Sequence, residues 1–286
     1  MNNRRSYLFV PAKKRSMISK AVGSDADSII LDLEDALAYS EKDSGRELVK
    51  ESLKAFTDEK SIYVRINDIS TSYWRKDLVA SVEYGANGVI IPKSESEEDV
   101  RWVCEEAYNI LKKMELNEKE IDFNVIPLLE TAKGIQFAYE IANSHPFVSN
   151  LAFGSIDFSL DIGCELTASG HELLYARSRI VIASRSAEIS KPIDTVYFDL
   201  DNLEGLGDEA ILAKRIGFGG KLIIHPKQIE HIHKVFTPQE EALREAEQIV
   251  EEFEKAELQG LASISVNGKL VDYPVYKKAK EMVDLN

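Results

Sequence analysis

The sequence predicts a closed (β/α)8 barrel with a C-terminal extension, and three observations predict it. Eight short β-rich runs alternate with longer amphipathic ones along most of the 286 residues. Several of the short runs are almost continuously apolar, as expected of parallel strands covered on both faces. No GxGxxG follows the first run, which removes support for the alternative, an open doubly wound sheet. The length also suits a barrel, which typically needs about 250 residues.

Taken in order, the strands are SYLFVP (6–11), SIILDL (28–33), SIYVRIN (61–67), GVIIPK (88–93), FNVIPLLE (123–130), NLAFGS (150–155), DTVYFDL (194–200) and KLIIHP (221–226). Helical patterns lie between them: RELVKESLKAF, DLVASVEYG, SEEDVRWVCEEAYNILKKM and GDEAILAKRIGFG. Gly85, Gly217 and Gly219 stand where glycines that end helices are expected. The barrel is assigned to 1–236. The remainder, 237–286, reads as a helix starting near Thr237 or Pro238, an Asn267-Gly268 turn, an extended patch and a short helix. It is assigned as an extension that packs on a neighbouring subunit.

Composition narrows the function classes. A formal net charge of −14 disfavours nucleic acid and anionic membrane as partners. No apolar run approaches the roughly 20 residues of a membrane span. The N-terminus has no signal-peptide cleavage pattern, so a cytoplasmic protein is expected. Cys104 and Cys164 lack CxxC spacing, which argues against a disulfide or a zinc site. One local exception is basic: Arg4, Arg5, Lys13, Lys14, Arg15 and Lys20, with no acid among the first twenty residues. It reads either as a site for a phosphate-bearing ligand or acidic partner, or as a solvated surface.

In a barrel the chemistry gathers where strands end. The ends carry Pro11 with Lys13–Arg15, Glu34 and Asp35, Arg65 and Asn67, Lys93 and Glu95, Glu130, Ser155 and Asp157, Asp199 and Asp201, and His225. An unpaired buried charge costs several kcal/mol, so such a ring makes sense as a shared, partly wet site. This also explains why the apolar run Ile29-Ile30-Leu31 ends in Asp32, Glu34 and Asp35. Glu130 and Asp157 follow adjacent strands, and two carboxylates with room for water suit Mg²⁺. The alternatives are a barrel salt bridge for Glu130 and a helix N-cap for Asp157. Arg65 suits a substrate carboxylate, or an internal pairing with Glu34 or Asp35. Lys93 and Glu95 read as structural partners in the same network. His171, His231 and His233 read as surface residues.

Eleven stretches, among them RSYLFVPA, ADSIILDLEDALA, VRIN, GANGVIIPKSES, VIPLLETAKGI, LAFGSIDFSLDIG, GFGGKLIIHPKQ and VNGKLVDYPV, give the chain a resemblance to the citrate lyase β-subunit-like branch of the HpcH/HpaI aldolase superfamily. That resemblance implies a Mg²⁺-dependent lyase on a 3-hydroxyacyl thioester (citryl, malyl or citramalyl), carried on coenzyme A or an acyl carrier protein. It implies a homotrimer. By motif, Glu130 and Asp157 fall on metal ligands and Arg65 on the substrate-binding arginine, with Glu130 also beside the substrate. Asp272 of GKLVDYP matches an aspartate that reaches a neighbouring subunit's site, where it would be the proton donor. Lys13 and Arg15 are the candidates for coenzyme A phosphates. The chain departs from the family at Gly154-Ser155-Ile156-Asp157, where GAED or GGDD is common, and at VPAKKRSM, where VPGN or RP is common. An aldolase on free 2-oxo acids, and a β subunit active only inside a multisubunit complex, are the competing classes.

Overall fold

In the computed structural model, which describes residues 4–114 and 122–284, the eight strands close into a parallel barrel in chain order. They are β1 Ser6–Pro11, β2 Ser28–Asp32, β3 Ser61–Arg65, β4 Gly88–Ile91, β5 Asn124–Leu129, β6 Ala152–Phe153, β7 Ile193–Asp194 and β8 Gly220–Ile223. β8 pairs back onto β1, with Ser6 opposite Lys221. The helices are α1 (Arg15–Val22), α2 (Lys42–Phe56), α3 (Trp74–Glu83), α4 (Glu97–Lys113), α5 (Ala132–Gln136), α6 (Ala138–Ala142), α7 (Ser155–Ile162), α8 (Leu174–Ser186), α9 (Leu203–Ile216) and α10 (Ile229–Phe236). Local chemistry sets their limits. Ser96 caps α4 by accepting the Asp99 N–H; Glu97, Glu98 and Asp99 follow in its first turn, and Lys112 and Lys113 close its last, charges that match the helix dipole.

Strand alternation decides what faces the barrel axis. Tyr7, Ile30, Tyr63, Ile90, Ile126, Leu128, Ala152, Ile193 and Leu222 form one buried cluster inside the barrel. The residues alternating with them, such as Leu31, Val64, Val89 and Val125, join the larger cluster that packs against the helices. Two residues beyond Ile30, Tyr63 and Leu128, the same inward face carries Asp32, Arg65 and Glu130. In β2, β3 and β5 the apolar plug thus ends, and the polar mouth begins, at the same step.

Three expectations need correction. The seventh strand is not 194–200: regular pairing covers Ile193–Asp194 only, because Thr195 turns its hydroxyl to Ser155 and the chain beyond it leaves the ladder. Gly219 does not end a helix, since Gly85 and Gly217 have positive φ and Gly219 does not; a Cβ at Gly219 would meet the Lys191 Cβ at 2.8 Å, so close packing is what it serves. The basic N-terminal residues are not one corner. Arg4 and Arg5 precede β1 and Lys13 follows it, so a six-residue strand, about 20 Å long, separates them. Arg4 Nη1 donates to Tyr63 Oη at 3.0 Å, and Arg5 forks onto Asp27.

From Thr237 onward the chain forms a second compact unit. It contains α11 (Glu240–Glu257), the antiparallel hairpin β9 (Ser263–Val266) and β10 (Lys269–Asp272), and α12 (Tyr273–Asp284). Asn267 and Gly268 both have positive φ, 49° and 76°, as a tight two-residue hairpin turn requires. Phe253, Val266 and Val271 are its buried core, and the Phe253 ring lies 4.8 Å from that of Tyr276. No helix among the described residues is long and apolar enough to cross a membrane.

One charged network lies wholly inside the wall. Asp194 and Lys221, opposite each other in β7 and β8, point away from the axis. Asp194 accepts Arg177 Nε at 2.8 Å and Lys221 Nζ at 2.8 Å, and Glu209 of α9 completes the set. Asp194→Ala should therefore cost about 3–5 kcal/mol of unfolding free energy in urea, because it leaves two buried cations sharing one acid. A loss below about 1 kcal/mol would mean the network is not needed to fasten α8 and α9 to the barrel.

Candidate active site

Asp32 and Arg65 end adjacent strands and face each other in register. Arg65 donates from Nε to Asp32 Oδ1 at 2.8 Å and from Nη2 to Oδ2 at 2.7 Å, the bidentate geometry that suits a guanidinium. Its Nη1 stands 3.0 Å from Glu34 Oε2, and its face covers the Phe9 ring at 4.9 Å. Burial opposes the Arg65 charge, but Asp32, Glu34 and Glu130 outweigh it and hold its pKa above the ordinary value. Below this pair, Lys42 donates to the carbonyls of Leu33 and Glu34 at 2.8 and 2.6 Å. That fixes the loop carrying the acids. Asn67 is held by Asp77 of α3, which accepts its backbone and side-chain N–H groups.

The fourth strand ends in Pro92 and then Lys93, which adopts a left-handed backbone with φ 46°. Lys93 N–H donates to Glu130 Oε1 at 2.8 Å, and its Nζ to Glu34 Oε1 at 2.6 Å. The pairing of Lys93 with Glu95 is therefore not formed: Glu95 lies 3.5 Å from Lys133, because the left-handed turn sends Lys93 back toward β2.

Glu130 is buried. Thr131, next to it, caps α5 by accepting the Gly134 N–H, so the carboxylate sits between a strand end and a helix start. Its Oε2 lies against Gly154, where a Cβ would come within 2.6 Å; no side chain fits there. Asp157 lies in the first turn of α7, half-buried. Neither alternative reading of these two acids holds among the described residues. The residue capping α7 is Gly154, not Asp157, and Glu130 bonds a backbone N–H rather than a cation. Burial pushes the Glu130 carboxyl up to about 8, with Asp157 and Glu34 adding to the rise against Lys93 N–H and Arg65. Burial also raises Glu34, against Arg65 and Lys93.

The mouth thus joins Arg65, Glu130 and Asp157 with Asp32, Glu34, Asp35 and Lys93, and its acids outweigh its bases. That surplus and the desolvated Glu130 fit a divalent cation. Two carboxylates completed by water and substrate oxygen are a donor set for Mg²⁺. No group of three or more His, Cys, Asp or Glu poised for a metal occurs among the described residues.

The other expected residues lie elsewhere. Lys13 pairs with Glu41 at 2.8 Å and Arg15 with Glu51 at 3.8 Å. Both line a cleft of about 460 Å³ that Glu41, Glu47 and Glu51 also line, so they do not present a free basic patch. Asp272 belongs to the second unit, where its Oδ1 accepts the Val275 N–H at the start of α12 at 3.2 Å. Asp199 and Asp201 are exposed. His225 accepts the Lys227 N–H. His233 is not a surface residue: its Nε2 is 2.8 Å from Ser6 Oγ, because α10 packs over the start of β1. Asp32 and Lys93 are the site residues that the sequence reading named at strand ends without giving them a part in the chemistry. Asp32 had a signal, two steps from the inward Ile30; the backbone of Lys93 had none.

Glu130 binds its proton more tightly folded than unfolded, so its neutral form contributes stability. The contribution is complete below about pH 4.5, declines by up to about 1.4 kcal/mol per pH unit, and is gone above about pH 8. In chelator-treated buffer, the unfolding free energy of the wild type relative to Glu130→Gln should fall across that window. A pH-independent difference would show that burial does not hold the proton on this carboxyl.

The comparisons with known proteins agree with this architecture. Residues 5–226 match the family model HpcH/HpaI aldolase/citrate lyase. The citrate lyase subunit beta of Haemophilus influenzae is 36% identical, over 99% of this chain and 97% of that protein. The mitochondrial citramalyl-CoA lyase of Rattus norvegicus is 30% identical, over 99% and 86%. The crystal structure of protein CitE from Mycobacterium tuberculosis, in complex with magnesium, acetoacetate and coenzyme A, superposes with a TM-score of 0.79 at 28% identity, covering 98% of this chain and 97% of that one. A closed eight-stranded barrel, charged side chains at its mouth and full-length similarity converge: the chain belongs to the HpcH/HpaI aldolase/citrate lyase family, in its citrate lyase β-subunit-like branch, and is a carbon–carbon lyase.

Proposed function

We propose that the barrel mouth cleaves a 3-hydroxyacyl thioester into an acetyl thioester and a 2-oxo acid, with Mg²⁺ held by Glu130 and Asp157. The observation that carries the reading is that pair of carboxylates, neither of which has an ion-pair partner among the described residues, beside the fixed guanidinium of Arg65. Relatives that act on citramalyl-CoA, and one solved with magnesium and coenzyme A, support the same substrate class for this chain. In the cleavage, the 3-hydroxyl loses its proton and the bond between C2 and C3 breaks. Its electrons pass to the acetyl thioester as an enolate, which is then protonated on carbon. Mg²⁺, when bound, would supply a Lewis acid that lowers the hydroxyl pKa and polarises the forming ketone. Arg65 stabilises developing negative charge without reorganising, because Asp32 already fixes its plane. The carrier would reach the mouth past the β1–α1 loop, where Lys13 and Arg15 exchange their glutamates for phosphate.

Malyl-, citramalyl- and citryl-coenzyme A, each offered with Mg²⁺, should include one that the purified chain turns over. Cleavage of free acids instead would favour the aldolase, and turnover only with an added carrier protein would favour the β subunit of a complex, a second reading to which the citrate lyase subunit relative lends weight. Glu130→Ala and Asp157→Ala should each lose Mg²⁺ binding in calorimetry while keeping the wild-type circular dichroism. Full turnover by either variant in chelator-treated buffer would end the metal assignment.

We further propose a homotrimer in which the unit from Thr237 onward completes a neighbour's mouth and Asp272 protonates the enolate carbon. Oδ1 of Asp272 is engaged at the start of α12, which leaves Oδ2 for the proton. Leu270, Tyr273 and Val275 around it are exposed apolar side chains, a surface suited to a partner. Co-expressed Asp272→Ala and Glu130→Ala chains should regain activity that neither has alone, since mixed oligomers contain intact sites. No recovery in co-purified mixed oligomers would refute sharing across subunits.

A further inference from the structure

The thioesters and 2-oxo acids of the proposed reaction are anions, and this mouth is rich in carboxylates. Something must receive the substrate's own carboxylate. Arg65 is poorly placed to do so alone. Its Nε–Nη2 edge is closed on Asp32, its Nη1 faces Glu34, and its side chain is 11% exposed. Lys93 differs on each count. Its side chain is 35% exposed, and of the three donors an ammonium carries, one is bonded to Glu34.

The backbone at Lys93 adds a second observation. At φ 46° a side chain brings a backbone strain that glycine avoids. The N–H bond to Glu130 needs only that backbone, which glycine would supply. The lysine side chain therefore answers a separate demand, and its position between Glu34 and Glu130 puts that demand in the mouth.

We propose that Lys93 is a substrate-binding residue, whose free ammonium donors receive the carboxylate of the 2-oxo acid half while Glu34 holds the amine in place. This rests on the thioester-lyase reading above. Arg65 then serves mainly the charge that develops on the thioester side, and the two cations divide the substrate between them.

Glyoxylate, pyruvate and oxaloacetate, titrated calorimetrically into the Mg²⁺-loaded protein, test it. Lys93→Gly keeps the left-handed backbone and the N–H to Glu130, and Lys93→Met keeps the side-chain bulk. Both should bind the oxo acids at least about tenfold more weakly than wild type, with unchanged circular dichroism and with Mg²⁺ affinity in the absence of oxo acid no lower. Unchanged oxo-acid affinity in both variants would overturn the assignment while leaving the lyase reading intact. A parallel loss of Mg²⁺ affinity would overturn it too, since Lys93 would then act only through Glu130. A wild-type protein that binds Mg²⁺ and none of the three acids would remove the lyase reading, and the role of Lys93 with it.

Discussion

The bidentate pair of Asp32 and Arg65 is the constraint on which the mouth depends. A guanidinium cannot shed its proton to escape burial, so an inward-facing arginine at a strand end needs acids fixed around it. Asp32 is fixed by strand register and also accepts the Glu34 N–H at 2.9 Å, which turns Glu34 back toward the axis. Glu34 in turn holds Lys93, and Lys93 through its backbone holds Glu130. Each contact sets the position of the next, across β2, β3, β4 and β5. No member of this chain can be replaced without freeing a buried charge.

Much of this was legible in the sequence, because the barrel is written in a period of two. Glu130 and Arg65 follow apolar runs whose alternation points them inward, and Asp157 follows the next strand. What was not legible depends on single backbone torsions and on loops. The left-handed turn at Lys93 follows a proline and carries no glycine to mark it, so its reach to Glu34 replaced the local pairing with Glu95. The seventh strand looked long because Val196, Tyr197 and Phe198 suit a strand by propensity; the Thr195–Ser155 bonds end the ladder instead. The basic N-terminal residues looked like one patch because sequence proximity hides the length of the strand between them.

The resemblance to a known family and the geometry also inform each other at the departures. Where the family pattern commonly reads GAED or GGDD, this chain has Ile156 beside Asp157, exposed on α7. With no acid there, Glu130 and Asp157 are the carboxylates of that corner. Gly154 is retained for a steric reason: any side chain there would displace the Glu130 carboxylate. The motif is therefore under two separate constraints, one on charge and one on volume, and only the volume constraint is met in the same way as in the family pattern.

The two buried ion networks make the functional argument by contrast. Arg177 and Lys221 face Asp194 and Glu209, cations matched to acids, in the wall between strands and helices. Such a set is balanced in charge and asks for no further ion. At the mouth, Arg65 and Lys93 face Asp32, Glu34, Asp35, Glu130 and Asp157, and burial pushes Glu130 up to about 8. A fold gains no stability from crowding carboxylates into a desolvated site. The surplus becomes favourable when a cation enters, and the same cation then offers a substrate anion an attraction that the carboxylates by themselves do not.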